Sequence, residues 1–137
     1  MQLAASVGQR LRGGEVIELT SDLGGGKTTF VRGLAQGMGA TDAVHSPSFT
    51  ITNEYKAGDL TIDHFDFYRL EEAGIMRDEL AEALMDTKVV VVVEWAGLVK
   101  DVLPRERLSI MIKPTGETSR ALTFTYPETY EYLIQKT

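Results

Sequence analysis

The chain has 137 residues, 43% of them hydrophobic and 25% charged, which suits one soluble globular domain spanning residues 1–137. A net charge of −6 argues against a broad nucleic-acid surface, and the absence of cysteine excludes disulfides, thiolate zinc sites and thiol catalysis. No run approaches the ~20 apolar residues of a membrane span. Arg10, Arg12 and Glu15 follow too soon after a weak apolar start for a secretory leader, so the expected location is the cytoplasm.

Leu3, Val7 and Leu11 recur at helical spacing and predict a short amphipathic helix, weakened by Gly8 and ended by Gly13-Gly14. Residues 15–20 read as a first strand. Ser21-Asp22-Leu23-Gly24-Gly25-Gly26-Lys27-Thr28-Thr29 follows, and Phe30, Val31, Leu34, Ala35 and Met38 then repeat with a helical period. Strand, glycine loop, Lys-Thr and helix form the Walker A phosphate-binding layout. Glycines let successive N–H groups turn toward one anion, and the helix start adds its unsatisfied N–H groups and dipole. Gly24, Gly25, Gly26, Lys27, Thr28 and Thr29 are therefore the candidate phosphate cradle. Lys27 would reach the β- and γ-phosphates, and the Thr28 hydroxyl would hold Mg²⁺. Ser21 stands where the full pattern has its first glycine. Gly37 and Gly39 are read as closing the helix.

Val44 to Thr50 contains Pro47 among hydroxyl residues and reads as a loop, with Ser46, Ser48 and Thr50 able to act as a γ-phosphate switch or as an ordinary turn. Ile51–Tyr55 and Leu60–Phe67 predict a hairpin, turning at Lys56 to Asp59. Leu70 to about Met85 reads as a helix. Lys88–Val93, almost wholly valine, suits a strand covered on both faces, as in a parallel sheet. Leu108–Ile112 and Ala121–Tyr126 predict an antiparallel pair at one end of the sheet, and Pro127–Gln135 a short terminal helix. The alternation predicts an α/β, P-loop NTPase-like three-layer fold, its mixed sheet parallel at the centre and flanked by antiparallel hairpins.

In such sheets ligands sit beyond the carboxyl ends of the strands. Glu94 directly follows the valine strand. A carboxylate there can hold Mg²⁺, directly or through water, or orient a nucleophile. Asp66 can serve the same chemistry from the end of its own strand, or cap a turn. His64 reads as a packed or hydrogen-bonded histidine rather than a base. Tyr68-Arg69 can be a surface pair or a phosphate or partner contact, and Trp95 reads as core. Arg120 can approach the nucleotide from the last hairpin, although a surface arginine is the simpler reading. Lys27, Asp66 and Glu94 are the candidate catalytic groups.

Four pieces together resemble a known family. They are Asp22 to Gly33, Ser46-Pro47-Ser48-Phe49-Thr50, His64-Phe65-Asp66-Phe67-Tyr68-Arg69-Leu70 and Glu94-Trp95. In this order they are similar to TsaE (YjeE), the bacterial ATPase of tRNA threonylcarbamoyladenosine biosynthesis. The resemblance implies a small ATPase, weak alone, that acts with the paired TsaD–TsaB proteins in modifying adenosine 37 and meets tRNA only through that complex. It implies ATP and Mg²⁺ as cofactors, Thr28 and Glu94 as metal ligands, Gly24 to Thr29 as the phosphate site and Asp66 as an aid to hydrolysis. This chain departs from the family pattern at Ser21, where altered affinity rather than loss is expected, and in starting later than members whose extra segment covers the base.

Three other classes fit a Walker A loop. A small-molecule kinase would need an arginine-bearing lid, for which Arg105 and Arg107 are the candidates. A regulatory GTPase would need an Asn-Lys-x-Asp motif, which the chain lacks. A scaffold that binds nucleotide without cleaving it would need no acid at Glu94.

Overall fold

Val89–Glu94 (β5) carries five valines whose side chains alternate between two cores. Val90 and Val92 face one core, Val91 and Val93 the other. A strand buried on both faces has no polar position to mark its period, so its sequence reads as one unbroken apolar run. The computed structural model describes residues 2–21, 27–40, 43–44, 51–66, 73–94, 101–116 and 120–134. Within it β5 is the middle strand of a seven-stranded sheet.

The strand order is β2 (Ala43–Val44), β3 (Ile51–Ala57), β4 (Leu60–Asp66), β5, β1 (Val16–Ser21), β6 (Leu108–Pro114) and β7 (Arg120–Thr125). From β4 to β6 every neighbour is parallel. The flanking pairs β2–β3, β3–β4 and β6–β7 are antiparallel. The helices α1 (Gln2–Gln9), α2 (Lys27–Met38) and α4 (Glu131–Ile134) cover one face of the sheet. That core contains Ala4, Val7, Phe30, Leu34 and Leu133 against Ile17, Leu19, Ile62, Leu108 and Ile110. The helix α3 (Ala73–Met85) lies on the other face, where Leu80 and Ala83 meet Val16, Phe65, Val91 and Val93. Helix, sheet and helix give the expected three-layer α/β fold.

Two glycines do other work than the sequence suggests. Gly8 lies inside α1 and Gly37 inside α2, where the two helices cross. A Cβ on Gly8 would sit 2.1 Å from the backbone oxygen of Leu34, and one on Gly37 2.0 Å from that of Ala5. The bare backbones let the helices approach closely, so Gly8 serves packing and Gly37 does not end its helix. Gly39 does end it, at φ 106°. Its N–H bonds to the Gln36 oxygen at 3.1 Å and the Ala40 N–H to the Ala35 oxygen at 2.9 Å, the Schellman pattern that closes free carbonyls.

Boundaries shift modestly elsewhere. The hairpin turns at Gly58 and Asp59, with Gly58 at φ 59°. The terminal helix is split into a 3₁₀ turn, Glu128–Tyr130, and α4. The short β2 strand, added to the β3 edge, overlaps the stretch read as loop at Val44.

Gly8→Ala tests the crossing. Alanine favours a helix by about 1 kcal/mol over glycine, yet the added methyl must push two backbones apart. The expected net result is a loss of about 1–3 kcal/mol, read as a lower urea midpoint at unchanged slope.

Candidate functional site

The central strand β1 ends at Ser21, and α2 begins at Lys27. The glycine stretch therefore joins a buried strand to the N-terminus of a helix that packs on the same sheet, the arrangement its sequence predicts. Lys27, Thr28 and Thr29 occupy the first turn of α2. Gly24, Gly25 and Gly26 lie outside the described residues, as do the side chains of Lys27, Thr28 and Asp66 and the whole of Ser46–Thr50, Tyr68-Arg69 and Trp95.

Strand register brings the acids to the same end of the sheet. Glu94 pairs level with Leu19 of β1 on one side and with Asp66 of β4 on the other. It thus sits one strand from β1, near the point where β1 gives way to the loop. The chain leaves this end in two directions. After β1 it packs as α2 on one face; after β5, Val102 and Leu103 pack on the opposite face. Such a divergence between neighbouring strands is the topological switch point at which open α/β sheets bind their ligands.

The Glu94 side chain follows Val90 and Val92 onto the face covered by α2, by the period of two. It is 5% exposed. His64 of β4, 2% exposed, places its Nε2 2.5 Å from Glu94 Oε2. With Glu94 ionised, as a cation ligand must be, its carboxylate can only accept, and Nε2 is then the donor. A hydrogen bond to a charged group contributes about 1.5–3 kcal/mol, and a carboxylate buried without one would be far less stable. Among the described residues His64 Nδ1 has no hydrogen-bond partner. The sequence reads His64 as a packed or hydrogen-bonded histidine, and it is both. Its partnership with Glu94 depends on β4 and β5 being neighbours, which no local pattern states.

Other basic residues separate by strand direction. Arg120 pairs with Pro114, the last residue of β6, so it stands at the same end of the sheet as the loop, two strands from β1. Adjacent strands are about 4.8 Å apart, so its backbone stands about 10 Å from β1 across the sheet. Arg107, a candidate for a kinase lid, precedes β6 and belongs to the opposite end of the strands. Its Nε donates to Glu18 Oε1 at 2.9 Å and its guanidinium to the Pro104 carbonyl at 2.9 Å. Ser109 donates to the same Glu18 oxygen at 3.1 Å. Arg107 is a staple there and no lid over the loop.

The chain is also similar to known proteins. Residues 1–122 match the family model described as threonylcarbamoyl adenosine biosynthesis protein TsaE. The tRNA threonylcarbamoyladenosine biosynthesis protein TsaE of Bacillus subtilis is 44% identical over 90% of this chain and 77% of its own. The protein of the same name from Nostoc is 38% identical over 70% of this chain and 61% of its own, so this chain spans under two thirds of that relative. The crystal structure of Bacillus subtilis YdiB superposes with a TM-score of 0.72 at 36% identity, over 96% of this chain and 81% of that one.

Two further buried acids escaped the sequence reading. Glu15, 2% exposed, accepts the N–H groups of Arg12 and Gly13, each at 2.8 Å, and the Tyr132 hydroxyl at 2.5 Å. Asp63, 7% exposed, pairs across the hairpin with Glu54. Burial, the nearby Glu54 carboxyl and Asp86 push the Asp63 carboxyl up to about 6, while Lys56 opposes them. One of its oxygens, Oδ1, has no partner among the described residues. A carboxyl raised above its unfolded value binds its proton more tightly in the fold. The stability this gives is complete below about pH 4 and lost as pH rises through about 6. Asp63→Asn keeps a donor toward Glu54 without the charge. It is expected to raise stability above pH 6 by about 1–2 kcal/mol and leave it nearly unchanged near pH 4, which thermal melts across that range would check.

Proposed function

The chain belongs to the TsaE family of threonylcarbamoyl adenosine biosynthesis proteins, and on that premise we propose that it is a Mg²⁺-dependent ATPase acting with the TsaD–TsaB complex in tRNA N6-threonylcarbamoyladenosine formation. The observation that carries this reading is the level pairing of Glu94 with Leu19 and Asp66, beside the strand that feeds the glycine loop. A buried carboxylate at that place, already holding a hydrogen bond from His64, has a reason to be there if it meets charge. Hydroxyl and carboxylate oxygens are the donors a small hard cation selects, so Thr28 and Glu94 fit Mg²⁺. When bound, the ion would neutralise phosphate charge that develops during cleavage.

The remaining roles fall to the chain itself. Gly24, Gly25, Gly26, Lys27, Thr28 and Thr29 bind the phosphates with backbone N–H groups, the helix dipole and the Lys27 ammonium. Asp66 orients the attacking water. Arg120 contacts the nucleotide from the sheet's last hairpin. The cleaved bond is the γ-phosphoryl link of ATP, a step dominated by positioning and electrostatics. With a net charge of −6, the chain meets tRNA through its partners and not by a basic surface of its own. Among the described residues no helix is long and apolar enough to cross a membrane, and we place the protein in the cytoplasm.

Lys27→Ala deletes a charge-assisted phosphate contact of about 1.5–3 kcal/mol, so calorimetry should show ATP affinity reduced by ten-fold or more. Glu94→Gln keeps an acceptor for His64 and should fold normally, yet lose most Mg²⁺-dependent hydrolysis; wild-type turnover would remove Glu94 from the site. Purified alone, the protein should hydrolyse ATP slowly. Adding the cognate TsaD–TsaB pair should raise the rate and sustain modification of tRNA over several turnovers, and no response to the pair would reject that partnership.

A further inference from the structure

Resting on the functional reading above, we propose that His64 is a positioning residue for the metal ligand Glu94: its Nε2–H, 2.5 Å from Oε2, fixes the carboxylate in the rotamer that meets the cation. Three features carry this. Both side chains are more than nine-tenths buried, so water cannot substitute for either partner. The two strands are parallel neighbours with His64 level with Val92, two residues before Glu94, so one long side chain reaches back to the other along the same face. His64 Nδ1 has no partner among the described residues. A histidine retained only for packing would leave one ring nitrogen unmet for no return, and an apolar side chain of similar size would fill the space at less cost. The bond to Glu94 explains why an imidazole is there. Outer partners of metal ligands act in this way: they hold the ligand's orientation, and their loss weakens metal affinity by about 10–100-fold.

The role separates metal binding from nucleotide binding, and the experiment uses that separation. Mn²⁺ affinity of the protein–ADP complex is measured by electron paramagnetic resonance, and ADP affinity in EDTA by calorimetry, for wild type, His64→Leu, His64→Gln and Glu94→Ala. His64→Leu should weaken Mn²⁺ binding by ten-fold or more and leave metal-free ADP affinity within two-fold. His64→Gln, which offers an N–H at a similar reach, should recover most of the loss. A folded His64→Leu protein with wild-type Mn²⁺ affinity, beside a weakened Glu94→Ala, would overturn the role of His64 while sparing the functional reading. Absence of ADP or Mn²⁺ binding in wild type would overturn that reading and the role with it. The wild-type protein supplies a test that needs no variant to fold. The chain has only two histidines. The His64 Nε2–H resonance should be visible by nitrogen-15 NMR and should shift when Mg²⁺ is added to the ADP complex; a resonance unmoved by Mg²⁺ would count against coupling and overturn the proposal.

Discussion

Parallel pairing of β4, β5 and β1 is the constraint on which the rest of the molecule depends. The valines of β5 supply cohesion there, since Val90 to Val93 are buried against one core or the other and Val89 is partly buried beside them. Five identical residues cannot tell one register from another two positions away, however. The ends of the strand can. At one end the Gly14 N–H bonds to the Val89 carbonyl and the Val91 N–H to the Glu15 carbonyl. At the other, Glu94 meets His64 in the interior. A slip of two residues would bury that carboxylate without its donor, and a slip of one would turn it to the wrong face. The polar pair in the candidate site is thus also a mark that sets the register of the sheet.

The two ends of the sheet are built differently. At the amino ends of β1 and β6, polar side chains act as staples. Glu15 gathers the Arg12 and Gly13 amides and the Tyr132 hydroxyl, Arg12 lies 4.0 Å from the centre of the Tyr132 ring, and the Val16 amide donates to the Tyr130 hydroxyl at 3.2 Å. Glu18 holds Arg107 and Ser109 nearby. These contacts fasten the 3₁₀ turn and α4 against the loop that follows α1. At the carboxyl ends the sheet instead presents Glu94, the backbone of Asp66 and the start of α2. Stability devices and candidate chemistry are segregated by strand direction, which the parallel centre of the sheet does of itself because β4, β5, β1 and β6 point the same way.

Helix α2 connects the two requirements. Its N-terminus borders the glycine loop and its apolar side packs on the sheet. Its far end is held by the crossing with α1, where Gly8 and Gly37 let the backbones approach, and by the Gly39 closure. A helix seated this firmly keeps its dipole aimed at one place, which a phosphate site demands.

Much of this was legible in the sequence. The glycine loop between a strand and a helix, the valine strand, the two hairpins and the three-layer class each follow from a local pattern: conformational freedom at glycine, periodicity, or burial on both faces. The position of Glu94 at a strand end followed as well, because a run of valines must stop where a charge begins. Pairing between distant segments was another matter. His64 and Glu94 are separated by a helix in the chain, and only the adjacency of β4 and β5 makes them partners. The same holds for Glu15 with Tyr132, for Glu18 with Arg107, and for Gly8, which local propensity scores as a flaw and the crossing with α2 turns into a necessity. Local sequence determined the elements and the kind of chemistry at their ends; tertiary structure decided which buried charges meet, because the free energy of a buried polar group belongs to its neighbours in space.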